Sequence, residues 1–230
     1  MIIKENYPIL GNYLGAIDDL IFYMYRGRRC IRKKPTKVKP PSSPGQVAQQ
    51  ERIASIAIFY QALKEVGIYP YWQKAAEGKV TNGYNLLVQQ NLPAFNSNGM
   101  ICDFSKIRLA DGILTLPDEL RVNETEEAGV WLLEWTNTPH QVNARVDDCL
   151  KLFVMKDCET FDVEPLEVAE GRRRDGQVRF RLPAHLQEYP HLYVLFCSHA
   201  TGDCSKSKYF NLIKKESYGY LSVDCHRTAG

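Results

Sequence analysis

Beyond Asp103 the chain is built from short stretches in which apolar and polar residues alternate, and this limits the folds open to it. Successive side chains of a strand point to opposite faces, so a period of two marks a strand with one face in a core. Trp131, Leu133 and Trp135 alternate with Leu132 and Glu134. Leu150, Leu152 and Val154 alternate with Lys151, Phe153 and Met155, and Val178, Phe180 and Leu182 with Gln177, Arg179 and Arg181. Residues 192–197 are apolar on both faces and read as a central strand. Thr201-Gly202-Asp203 turns into a further strand at Lys208, and Ile107 with Leu109 precedes Leu114 with Leu116 across the turn Asp111-Gly112. Short strands separated by turn signals predict an antiparallel β-sandwich of about six to seven strands, immunoglobulin- or fibronectin-like in architecture. Trp131 and Trp135 share a face, which suits either a carbohydrate platform or a sandwich core; core is the commoner use of such aromatics.

A helical segment precedes the strands. Ser43-Pro44-Gly45-Gln46 is a capping box with proline at the first helical position. The helix is expected to run to about Val66 and stop at Gly67. Ile53, Ile56, Ala57, Tyr60 and Leu63 form one stripe that Ile58 and Phe59 widen, which predicts packing on two sides. Shorter helices are expected over residues 71–77 and 83–92. Residues 20–34 read as a β-hairpin turning at Arg26-Gly27-Arg28, followed by a proline-rich extended linker. The fold class expected is therefore α+β. Its parts are a hairpin and linker (1–40), a helical segment (41–102), a β-sandwich domain (103–215) and a tail (216–230).

Charge is distributed unevenly over this plan. The chain of 230 residues has a formal net charge of +2. Residues 20–50, however, contain Arg26, Arg28, Arg29, Arg32, Lys33, Lys34, Lys37 and Lys39 and no acidic residue. Removing those eight from 29 Lys+Arg leaves 21 against 27 Asp+Glu, a balance of −6 for the remainder. Such a segment, interleaved with Tyr23 and Tyr25, suits phosphates of a nucleic acid, an acidic partner subunit, or protection of an edge strand against aggregation. No helix-turn-helix, zinc-finger or sheet-type RNA-binding signature accompanies it. A second basic cluster, Arg172-Arg173-Arg174, is read as a solvated hairpin turn.

Catalytic signatures are missing from the sequence. There is no G-x-S-x-G, phosphate-binding loop or dinucleotide fingerprint, and His140, His185, His191 and His199 stand at no triad or zincin spacing. Asp18-Asp19, Glu126-Glu127 and Asp147-Asp148 lie at element boundaries, where turns and caps use such residues. The seven cysteines (30, 102, 149, 158, 197, 204 and 225) form no C-x-x-C pair, and neither Cys197-Ser198-His199 with Cys204 nor Cys225-His226 has zinc-site spacing. Cys149 and Cys197 sit in apolar runs and read as small core residues. No catalytic residue, metal or cofactor is expected. Nor does any apolar run approach the roughly 18–20 residues of a membrane span. The first residues lack the basic and apolar regions of a secretory signal, so the expectation is cytoplasmic synthesis with free thiols.

Several pieces, in order, resemble an uncharacterised family of Bacteroidota proteins catalogued as domain of unknown function 6266. They are Gly11 and Gly15, the hairpin from Tyr25 to Pro35, Pro41-x-Ser43-Pro44-x-Gln46, Gln50-x-Arg52, Asn85, and Asp103-Phe104-Ser105-Lys106-Ile107. Asp111-Gly112-x-Leu114, Trp135-Thr136-Asn137, Asp148, Arg174-Asp175-Gly176, Leu182-Pro183, Tyr193 to Ser198 and Ser205-x-Ser207-x-Tyr209 follow. The resemblance implies a β-sandwich with a basic N-terminal hairpin and a helical insert, and it brings no chemistry. By analogy, the arrangement is similar to small phage-like structural proteins. The function expected is a non-catalytic structural or adaptor protein of a larger assembly, of virion or secretion type. It would dock protein subunits through the basic hairpin, as an oligomer or with an acidic partner; the alternative is nucleic-acid binding through residues 26–39.

Overall fold

The alternation becomes antiparallel sheet in the computed structural model, which describes residues 13–25, 27–36, 40, 43–138, 141–157, 161–167, 171–187 and 189–212. The chain divides into two units, Met1–Pro44 and Gly45–Gly230.

In the first unit, β1 (Gly15–Ile17), β2 (Leu20–Tyr25) and β3 (Arg28–Lys33) form an antiparallel sheet in chain order. The hairpin β2–β3 is the one expected from the sequence, with Tyr25 opposite Arg28. Gly27 takes φ +71°, a left-handed conformation that lets so short a turn close. β1 is an addition: three residues are too few to show a period.

The second unit opens with α1 (Pro44–Glu65), α2 (Tyr69–Ala76) and α3 (Gly83–Asn91). Pro44 starts α1 as expected. Asn82 caps α3, its side chain accepting the Asn85 amide at 2.8 Å. The strands β4 (Asp118–Glu124), β5 (Val130–Thr136), β6 (Cys149–Met155), β7 (Val163–Leu166), β8 (Gln177–Arg181), β9 (His191–Cys197) and β10 (Lys208–Asn211) follow. They form one sheet of order β10-β9-β6-β7 and another of order β4-β5-β8. The unit is thus α+β with antiparallel sheets that do not close into a barrel.

β9 is buried along its whole length, as the apolar run predicts. Leu192, Val194 and Phe196 join a core with Leu133, Trp135 and Phe180 of the smaller sheet. Tyr193, Leu195 and Cys197 join a core with Ile56, Phe59, Leu63 and Trp72 of the helices. β6 divides in the same way, Leu150, Leu152 and Val154 to one core and Phe153 and Met155 to the other. Full burial of such a side chain contributes roughly 1.5–3 kcal/mol, so β6 and β9 anchor the unit. Trp135 is core, and Trp131 packs against that core.

Two expectations need correction. α1 packs on one side: Ile56, Phe59 and Leu63 are buried, while Ile53 and Ile58 are exposed. Residues 107–116 form no hairpin. Ile107 and Leu109 are buried, and Asp111 and Leu114 make single bridges to Lys206 and Ser205 instead of pairing with each other. β4 and β7 have no counterpart in the sequence reading. β4 is rich in acids and bulges between Asp118 and Arg121, and β7 contains Pro165, which its place at the end of the sheet tolerates.

Candidate functional site

β3 carries Arg28, Arg29, Arg32 and Lys33, with Lys34 directly after it, and all five are exposed. Arg26, Lys37 and Lys39 lie outside the described residues, as do Val38 and Pro41 of the linker. The register fixes which cations share a face. Tyr25↔Arg28, Tyr23↔Cys30 and Ile21↔Arg32 project to one side; Met24↔Arg29, Phe22↔Ile31 and Leu20↔Lys33 project to the other. The cations therefore occupy both faces of the hairpin. On the tyrosine face the Arg32 guanidinium carbon lies 5.8 Å from the Tyr23 ring centroid, within cation–π range.

Little of this sheet is covered. Among its described residues only Phe22 and Cys30 are buried, with Tyr13 packed edge-on against Phe22 at 5.8 Å. Leu14, Ile17, Leu20, Tyr23, Met24 and Tyr25 are each 37–57% exposed. Ordering a residue costs roughly 1–2 kcal/mol of backbone entropy, so a sheet with two buried side chains has little to offset it. Apolar rings and methyls in water beside five cations make a surface suited to association.

The second basic cluster has a different role. Arg173 is buried, not solvated: it is 3% exposed, and Asp148, 1% exposed, lies with its Oδ2 3.3 Å from Arg173 Nε. Arg173 Nη1 donates to Gln141 Oε1 at 3.2 Å and Nη2 donates to the Thr115 carbonyl. Its guanidinium carbon sits 5.1 Å from the Phe196 ring centroid. The Arg173 carbonyl accepts from Trp135 Nε1 at 2.7 Å and Asn137 Nδ2 at 2.6 Å. Gly176, at φ +70°, ends the short 3-10 turn that presents Arg173. Sequence reading missed this knot because consecutive arginines beside glycine look like a surface turn. The separate pieces Trp135-Thr136-Asn137, Asp148 and Arg174-Asp175-Gly176 are adjacent here.

Among the described residues the paired carboxylates go to separate places. Asp147 is exposed while Asp148 is buried with Arg173, and Glu127 pairs with Arg181. Among the described residues no three His, Cys, Asp or Glu side chains are placed to hold a metal ion. No described helix is long and apolar enough to cross a membrane. His140 lies outside the described residues, and His185 and His199 are exposed.

His191 is the exception in burial. It is 5% exposed, stacks on Phe104 with centroids 3.7 Å apart, and shares its Nδ1 with the Tyr209 hydroxyl at 3.0 Å. Its Nε2 is buried without a hydrogen-bond partner among the described residues. Burial lowers its pKa below the ordinary histidine value, partly opposed by the charge of Asp157. The unfolded chain thus binds a proton at a pH where the folded chain does not. Stability is complete above about pH 6.5 and falls as pH drops toward the folded-state pKa. Urea midpoints at pH 7 and pH 5 should show a larger acid loss for the native chain than for His191→Phe; equal losses would remove His191 from the account.

Comparison with protein-family models gives no match, and comparison with curated proteins gives none.

Proposed function

We propose that this chain is a non-catalytic adaptor or structural component of a larger assembly, of phage-like or secretion type, which docks through its basic hairpin into an acidic cleft of a protein subunit. Its body is read as a β-sandwich of immunoglobulin- or fibronectin-like architecture, in line with the resemblance drawn from the sequence. One observation carries the docking: cations and exposed apolar side chains alternate on both faces of β2–β3. A nucleic-acid strand lying on a sheet is served by cations on one face. A hairpin that is basic on both faces is suited to a partner that surrounds it, with carboxylates meeting Arg28 and Arg32 on one side and Arg29 and Lys33 on the other.

A second reading rests on the tyrosine face. Tyr23 and Tyr25, two apart on β2, with Arg28 and Arg32 beside them, have the chemistry of a base-stacking platform. Titration of the full chain with a fluorescent single-stranded oligonucleotide and with polyglutamate, over a salt series, separates the two. The adaptor reading expects salt-sensitive binding to polyglutamate and negligible affinity for the oligonucleotide. Tight oligonucleotide binding that Tyr23→Ala and Tyr25→Ala abolish would replace the first reading by the second.

A further inference from the structure

The strand register aligns three cysteines across the larger sheet of the second unit. Cys149 lies opposite Cys197 in β6–β9, and Cys197 lies opposite Cys204. Residues directly opposed in antiparallel ladders project to the same face. Here that is the helix-facing side, where Cys197 and Cys204 belong to one core.

Hydrogen bonding distinguishes the two pairs. Ser198 N donates to the Asp203 carbonyl at 2.8 Å and Ser205 N to the Phe196 carbonyl at 2.8 Å. Cys197 and Cys204, between those bonds, are a non-hydrogen-bonded pair, whose Cα atoms stand about 4.5 Å apart. That is at the short end of the roughly 4.4–6.8 Å spanned by disulfides, and the side chains of such a pair stand closer than those of a hydrogen-bonded pair, which favours bridging here. On the other side of β6, Leu150 N donates to the Gly171 carbonyl and Arg173 N to the Asp148 carbonyl. The backbone of Cys149 is thereby turned toward β9, which makes Cys149 and Cys197 the wider, hydrogen-bonded pair at about 5.5 Å.

We propose that Cys197 and Cys204 are a reversible oxidation site, a buried dithiol that a small disulfide such as glutathione disulfide converts to an intrachain bridge. Access is by a groove of about 350 Å³ lined by Lys74, Glu77, Lys79, Asp203 and Cys204, in which Lys74 is ion-paired with Glu77. The Cys204 thiolate attacks one sulfur of the oxidant and releases its first thiol. Cys197 then attacks the Cys204 sulfur and releases the second. Two protein thiols are oxidised, one disulfide is reduced to two thiols, and the two protein protons pass to the departing thiolates. The Tyr71 side chain favours the Cys197 thiolate. Burial works the other way, raising Cys197 to about 11 and Cys204 to about 12, so the exchange is slow at neutral pH and quickens as pH rises.

The test uses the full chain carrying Cys102→Ser, which removes an exposed thiol. After incubation with glutathione disulfide at mildly alkaline pH, free thiols are alkylated and the digest is mapped by mass spectrometry. Two fewer titratable thiols are expected, with a reductant-sensitive bridge between Cys197 and Cys204. Cys149→Ser should form the same bridge, and Tyr71→Phe should form it more slowly. Full alkylation of both cysteines after denaturation, or a bridge from Cys197 to Cys149, would overturn the proposal.

Discussion

Replacing Arg173 with methionine is expected to cost about 3–5 kcal/mol of folding stability, the usual consequence of stripping one partner from a buried ion pair. Among the described residues, the substitution leaves the Asp148 carboxylate buried at 1% exposure with no cation and with only the Arg145 amide, at 2.9 Å, on its Oδ2. It also leaves the Thr115 carbonyl and the Gln141 side chain without the donors they now accept. A domain stable by roughly 5–15 kcal/mol does not absorb such a loss easily, and poor yield at 37 °C should accompany it. Changing Asp148 to leucine in the same chain removes the stranded charge and should return part of the loss. Urea denaturation of both single variants and the double variant gives the coupling energy. A loss under 1 kcal/mol for Arg173→Met would mean that the turn is solvated after all.

The second large effect concerns docking rather than folding. Converting Arg28, Arg29, Arg32, Lys33 and Lys34 to glutamine leaves the fold intact, since all five side chains are exposed. Each cation facing a carboxylate at a screened interface contributes about 0.2–1 kcal/mol, so together they account for about 1–5 kcal/mol. At 1.4 kcal/mol per tenfold, affinity for the acidic partner should fall from about fivefold to several thousand-fold. The remaining binding should lose most of its salt dependence. Thermal unfolding of the variant, unchanged within error, provides the control. Unaltered affinity would place docking elsewhere on the chain.

The hairpin, the start of α1 and the central strand β9 are legible in the sequence because each rests on local chemistry. Gly27 closes a turn, Ser43-Pro44 starts a helix, and an unbroken apolar run has to be buried on both sides. Features that depend on distant residues were not legible. Arg173 looks solvated until Asp148, Thr115, Gln141 and Trp135 are brought around it from four other places in the chain. The cysteine row exists only through the register of β6, β9 and the return segment at Cys204, since spacings of 48 and seven residues carry no motif. Counting the basic residues revealed a charged segment but not its two-sidedness. That follows only once Tyr25 is known to face Arg28.

We propose above that this hairpin engages an acidic protein surface. The most direct test is carbodiimide coupling, which joins amines to carboxylates in contact, applied to the full chain isolated at low salt with the subunits that accompany it. Mapping the products should show Lys33 and Lys34 joined to aspartates and glutamates of one protein in fixed stoichiometry. Those links should disappear at high salt and in the glutamine variant. A chain that light scattering shows to be a lone monomer, or one whose only companion is removed by nuclease, would contradict the claim.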